Sequence, residues 1–205
     1  MGTVRSFEIT TPRGPARVQI TEPDNATSLL VLGHGAGGDV DAPDLTAVHD
    51  AAVARKVRVA LVTQPYRVAG RKAPAPAGHL DEAWTAVVEE IKKAGEPLIL
   101  GGRSSGARVA CRTATALGAV GVLALAFPLH PPGKPEKSRA GELPTDLPTL
   151  VVNGDRDAFG VPVAVGRVEV AVRPGATHDL RRDLPGTVAV VAEWLGRHGW
   201  CGSAG

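Results

Sequence analysis

Residues Leu98-Ile-Leu-Gly-Gly-Arg-Ser-Ser-Gly-Ala-Arg-Val-Ala110 constrain the fold more than any other stretch of this chain. A short apolar run enters Gly102-Arg103-Ser104-Ser105-Gly106 and leaves as a run rich in small residues. The pattern reads as a strand that turns sharply into a helix, centred on the G-x-S-x-G nucleophile elbow. Glycine on both flanks removes side chains that would crowd such a turn and leaves Ser104 exposed at the carboxyl edge of a sheet. The helix start behind it aims free N–H groups and a positive dipole end at any oxygen that gains negative charge. Ordinary glycine-serine turns also match G-x-S-x-G. The strand before this one and the helix after it give it weight.

The rest of the chain predicts the frame such a turn needs. Val4 to Ile9 and Ala16 to Thr21 alternate about Thr11-Pro-Arg-Gly14, an antiparallel hairpin. Ser28-Leu-Leu-Val-Leu32 is a continuous apolar strand suited to burial on both faces, and it runs into Gly33-His-Gly-Ala-Gly-Gly38. Pro43 opens a helix through Leu45, Val48 and Ala52, and Val57 to Val62 is the next strand. Gln64 to Gly78 reads as one long loop rich in proline, arginine and glycine, a length often tied to function. Leu80, Trp84, Val87, Val88 and Ile91 recur at helical spacing on a packing helix that stops at Gly95 and Pro97. After the elbow come strands at Val120 to Phe127, Thr149 to Val152 and Val168 to Val172, then a closing helix through Val188, Val191, Ala192 and Leu195.

Strands alternating with helices after a hairpin imply a mostly parallel sheet of about eight strands with helices on both faces. No linker or repeat divides residues 1–205, so a single domain is expected. Pro128 to Pro148 is a proline-rich loop too short for a helical cap domain. The formal net charge of +2, with no long basic block, gives no reason to expect nucleic acid. The opening residues lack a signal-type apolar core, and no run of about 18 apolar residues offers a membrane span. With only Cys111 and Cys201, a disulfide framework is not expected, and the expected compartment is the cytoplasm. Cys111 reads as a small core residue on the elbow helix.

A serine nucleophile needs a general base, and the base needs a group to hold its tautomer. Asn153-Gly-Asp-Arg-Asp157 and Gly175-Ala-Thr-His178 each lie just past an apolar strand, at the sheet edge where Ser104 is expected. Among the six histidines, His34, His49, His79, His130 and His198 compete with His178. His130 ranks second because it also follows a strand, but it precedes both acids. Asp157 is preferred to Asp155, since the chain must leave the strand and turn back toward the histidine. Asp155 then reads as a turn cap. The glycine loop after the third strand suits the second half of an oxyanion hole. The N–H groups of Ala36 and Ser105 are the expected donors, with Gly35 the near alternative. Gly33, Gly35 and Gly38 also satisfy G-x-G-x-x-G, but Asp39 to Ala42 precede the next helix and the next strand ends without an acid. No Cys/His spacing resembles a metal site.

Taken together, the elbow, glycine loop, acid and histidine resemble the α/β-hydrolase superfamily on its small, dienelactone-hydrolase-like side. More narrowly, Pro65-Tyr-Arg-Val-Ala-Gly-Arg71, Gly101-Gly-Arg-Ser-Ser-Gly-Ala-Arg108 and Phe127-Pro-Leu-His-Pro-Pro-Gly-Lys-Pro-Glu136 resemble a family of small bacterial hydrolase-like proteins. Its eukaryotic relatives include testis-expressed protein 30 and a subunit of the NSL chromatin complex. The resemblance implies the α/β-hydrolase fold and a catalytic triad of Ser104, Asp157 and His178. The expected activity is hydrolysis of a small ester or thioester through an acyl-enzyme, without a cofactor. A non-catalytic binding module and an acyltransferase on the same triad are the alternatives. Arg67, Arg71 and His130 are candidate substrate-binding residues. For Arg67, Arg71 and Arg103 the favoured role is to tie long loops to carbonyls or carboxylates. Arg108 and Arg112, four apart on the elbow helix, are expected to pair with acids or solvent.

Overall fold

A computed structural model describes residues 2–202. β1 (Thr3–Thr11) and β2 (Gly14–Glu22) form the antiparallel hairpin, followed by β3 (Ser28–Gly33), α1 (Pro43–Val53) and β4 (Val57–Thr63). Next come α2 (Pro65–Val68), α3 (Ala77–Ile91), β5 (Leu98–Arg103) and α4 (Ser105–Thr113). β6 (Gly121–Leu125), β7 (Thr149–Gly154), β8 (Val168–Arg173) and α5 (Leu184–Arg197) follow. The eight strands make one sheet in the order β1-β2-β4-β3-β5-β6-β7-β8. β1, β2 and β4 pair antiparallel, and the pairings from β4 through β8 are parallel.

The sheet is apolar on both faces because its central strands alternate between two cores. Along β3, Leu29 and Val31 face one core while Leu30 and Leu32 face the other. α3 seals the first with Leu80, Trp84, Val87, Val88 and Ile91. α1 and α5 seal the second with Leu45, Val48, Val191, Trp194 and Leu195. Full burial of each such side chain stabilises the fold by roughly 1.5–3 kcal/mol. Trp84 and Trp194 are 1% and 0% exposed, so both are packing residues with no free face for a ligand.

Two expectations need correction. Gln64 to Gly78 is not one loop: Pro65 starts the single turn of α2, at a position where its missing N–H costs nothing. The strand expected over Val120 to Phe127 is shorter, because Ala126 takes a φ of 48° and ends the pleat. The proline-rich segment before β7 adds only one 3₁₀ turn, Ala140–Glu142, and the described residues build no cap domain. No helix among the described residues is long and apolar enough to cross a membrane.

The position of the site follows from the topology. The chain winds from β3 outward to β4, then crosses back to lay β5 on the other side of β3. The loops leaving β3 and β5 therefore part at a switch point, where a crevice opens at the carboxyl ends of the strands. Gly33 and Gly102, the last residues before those loops diverge, pair directly.

Candidate active site

The elbow and the glycine loop are one packed unit. A Cβ at Gly102 would lie 2.6 Å from the Gly33 carbonyl oxygen, and one at Gly106 would lie 2.8 Å from the His34 oxygen. Glycine is required there because backbone meets backbone. Between them Ser104 takes φ 53° and ψ −110°, a conformation that costs a residue with a Cβ about 1–3 kcal/mol. Its surroundings hold it there. Ser104 N–H donates to the Leu125 carbonyl at 2.9 Å, and its own carbonyl accepts from Arg108 N–H at 3.2 Å.

The loop after β8 carries His178 to this turn. His178 Nε2 lies 2.9 Å from Ser104 Oγ, and Nδ1 lies 2.8 Å from Asp157 Oδ2. The Asp157 side chain is fully buried and also accepts from Phe159 N–H at 2.8 Å and Asn153 Nδ2 at 3.3 Å. Donors surround this carboxylate, so it acts as acceptor and the His178 proton sits on Nδ1. Nε2 then presents its lone pair to the Ser104 hydroxyl. Phe159 stacks on the imidazole, with ring centroids 4.2 Å apart. Asn153 locks the acid loop, accepting from Phe127 N–H at 2.9 Å and donating to the Phe127 and Gly160 carbonyls at 3.1 and 3.2 Å. Asp155 is exposed and accepts from Gly175 N–H at 2.7 Å, which fastens the acid loop to the histidine loop.

The glycine loop is set by His34, which is 3% exposed. His34 Nε2 accepts from Gln64 N–H at 3.0 Å, so its proton is on Nδ1, which donates to the Gly35 carbonyl at 2.9 Å. Burial pushes the His34 imidazole below its ordinary value and keeps it neutral, as this pairing demands. Gly38 N–H donates to the same carbonyl at 3.2 Å. A trans peptide is planar, so pinning the Gly35 carbonyl also aims the Ala36 N–H the opposite way. Ser105 is the first residue of α4, where the N–H has no partner within the helix. Gly35, Ala36, Ser104, Ser105 and His178 all line one cleft of about 300 Å³.

The arginines divide by what they touch. Arg103 Nε pairs with buried Asp44 of α1 at 2.9 Å, and Nη2 donates to the His178 carbonyl at 3.4 Å. Burial pushes the Asp44 carboxyl up, and Arg103 offsets part of that shift. Arg67 donates to the Gly38 and Arg71 carbonyls at 2.8 and 3.0 Å, the loop-tying role favoured for it. Arg71 is exposed and lines a separate cavity with Arg13 and His79. His130 has its Nδ1 2.9 Å from the Pro131 carbonyl and its own N–H on the Phe159 carbonyl. The cleft around Ser104 is lined by none of Arg67, Arg71 and His130.

Four residues at the site carry no local signal strong enough to assign them. Asn153 lies inside the motif that yields Asp157, where asparagine reads as a turn former. Phe159, Arg139 and Asp44 reach the site only through loop paths and tertiary contact. Among the described residues, no cluster of three His, Cys, Asp or Glu side chains could hold a metal ion.

A family described as an alpha/beta hydrolase domain matches residues 26–183. The fold resembles that of an α/β serine hydrolase without a lid from Xanthomonas campestris, at 19% identity and TM-score 0.75, covering 98% of this chain and 97% of the other. An α/β serine hydrolase homologue from Coxiella burnetii gives 21% identity and TM-score 0.74 over 95% and 96% of the two chains. Dienelactone hydrolase from Anabaena variabilis gives 15% identity and TM-score 0.76 over 96% and 98%. No curated protein matches the chain in sequence. With more than half its length covered by that domain, the chain belongs to the α/β hydrolase family.

Proposed function

We propose that the protein is a serine hydrolase, acting in the cytoplasm on a small carboxylic ester or thioester. One observation carries this reading: the unbroken path from Ser104 Oγ through His178 to Asp157, with links of 2.9 and 2.8 Å at a strained turn. The narrower bacterial family resemblance gives the same three residues the same roles.

In the proposed reaction, Ser104 Oγ attacks the substrate carbonyl carbon while His178 Nε2 takes the hydroxyl proton. Asp157 holds the imidazolium on the correct side and stabilises its charge. The carbonyl electrons move onto oxygen, where the Ala36 and Ser105 N–H groups donate, with Gly35 N–H the alternative to Ala36. Collapse of this intermediate expels the alkoxide or thiolate, which takes the proton from His178 and leaves Ser104 acylated. Water, deprotonated by His178, then releases the acid. An acyltransferase would differ only in the second nucleophile.

Pre-steady-state hydrolysis of nitrophenyl acetate tests the scheme. The expected result is a burst of nitrophenolate close to one equivalent of enzyme, absent in Ser104→Ala, whose turnover falls by several orders of magnitude, about 10⁶ in the well-studied serine protease case. A folded wild type with no burst and no turnover would favour the binding-module alternative.

A further inference from the structure

The cleft at Ser104 is lined by three guanidinium groups, Arg103, Arg108 and Arg139, and by no carboxylate. Two of the three are already matched. Arg103 has Asp44 at 2.9 Å. Arg108 donates twice to Glu142, at 2.7 and 2.6 Å, and Glu142 also serves Arg112. Arg139 differs. Its guanidinium makes one hydrogen bond, from Nη1 to the Pro128 carbonyl at 3.1 Å, and no ion pair among the described residues. Its backbone is fixed on both sides, with its N–H on the Leu129 carbonyl at 2.7 Å and its carbonyl receiving Glu142 N–H at 2.9 Å. A half-buried cation with four donors that take no protein acceptor among the described residues is thus held in the wall of the cleft that contains Ser104. Burial, then the Arg108 charge, hold the Arg139 guanidinium below its ordinary value, and the Glu142 carboxylate offsets part of that shift.

We infer that Arg139 is the substrate-selecting residue of this site and that the preferred substrates are esters or thioesters bearing a carboxylate, which its guanidinium fork receives. This rests on acylation at Ser104 and adds the substrate class. A planar guanidinium with free parallel donors matches a carboxylate in two-point fashion, which an ammonium cannot do. Arg67 and Arg71 take no part, being bonded to carbonyls or placed at another cavity.

The test compares charged esters with their neutral methyl-capped counterparts. One arm carries the carboxylate on the acyl part (nitrophenyl hemiadipate against nitrophenyl methyl adipate). The other carries it on the leaving group (carboxyphenyl butyrate against its methyl ester). In at least one arm the charged ester should lead by about 10- to 100-fold in kcat/KM, mainly through KM, as expected for a charge-assisted hydrogen bond. The lead should shrink at high salt. Arg139→Gln should bring the ratio toward one, while Arg139→Lys, which keeps the charge, should retain part of it. Equal rates in both arms, or a lead that survives Arg139→Gln, overturns the inference. If Ser104 still reacts with a fluorophosphonate in that case, the hydrolase reading stands without it. If Ser104 does not react, calorimetry with adipate decides the role of Arg139. Tighter binding to wild type than to Arg139→Gln supports it, and equal or absent binding removes it.

Discussion

Asp157 and Asp155 share one loop, yet only Asp157 turns its carboxylate into the protein, against His178. Asp157→Asn places an amide opposite His178 Nδ1 and favours the wrong tautomer, at a cost of about 10⁴ in kcat in the serine-protease case. Asp155→Asn keeps an oxygen for Gly175 N–H and should have a small effect. Steady-state kinetics on the two folded variants checks the ranking, and the reverse order would move the acid. His34 makes a prediction about pH. Its folded value is depressed by burial, so the unfolded chain binds the extra proton more readily. Its contribution to stability is therefore present above the ordinary imidazole value of about 6.5 and is lost as pH falls toward the lower folded value. Urea midpoints measured down that range should fall more steeply for wild type than for His34→Asn, and parallel curves would contradict the buried neutral imidazole. The candidate site at Ser104, Asp157 and His178 was legible because each residue sits within a few residues of the end of a readable strand. Asn153 and Phe159 were not, because their roles depend on where two loops meet.

At the scale of elements, the elbow works because β3, β5 and the first turn of α4 meet through glycine backbones. Gly106→Ala would press a methyl group onto the Gly33 and His34 carbonyls and should cost about 1–3 kcal/mol, read as a lower urea midpoint together with lost activity. An unchanged midpoint would show that the turn has more room than the structure gives it. α4 is anchored on its outer face by charge. Arg112 makes a two-point pair with Asp81 of α3 at 2.8 and 2.6 Å, and Arg108 does the same with Glu142, so of the acids or solvent expected as partners both have acids. On its inner face Cys111 is fully buried and its thiol is pushed up to about 12 by that burial. Under native conditions a thiol reagent should spare Cys111 until the protein unfolds. The long helices and apolar strands were legible from their periods. α2 was not, since four residues do not complete two helical repeats.

For the whole molecule, an absent cap leaves the carboxyl edge of the sheet open, and the cleft of about 300 Å³ is lined by three arginines, two serines, two prolines and the ring of Phe159, with no leucine, isoleucine, valine or methionine to form a long acyl slot. The large aromatic side chains of Trp84 and Trp194 are spent in the two cores. Short acyl groups should therefore be preferred. Along a nitrophenyl ester series from acetyl to palmitoyl, a long apolar slot would add roughly 0.8 kcal/mol per buried methylene. A maximum in kcat/KM at eight carbons or more would refute the shallow cleft. The fold class was legible because alternating strands and helices admit few arrangements. The charge pattern of the cleft was not, because Arg139 and Glu142 come from a proline-rich segment with no period; Glu142 gains its meaning only by pairing with Arg108 of α4, and Arg139 only by lining the cleft. The central claim, that Ser104 is the group acylated, is tested most directly by treating the protein with a fluorophosphonate and mapping the modified peptide. One adduct per chain on Ser104, lost in His178→Ala, is the predicted result. An adduct confined to Ser105, or no adduct on a folded protein, would contradict it.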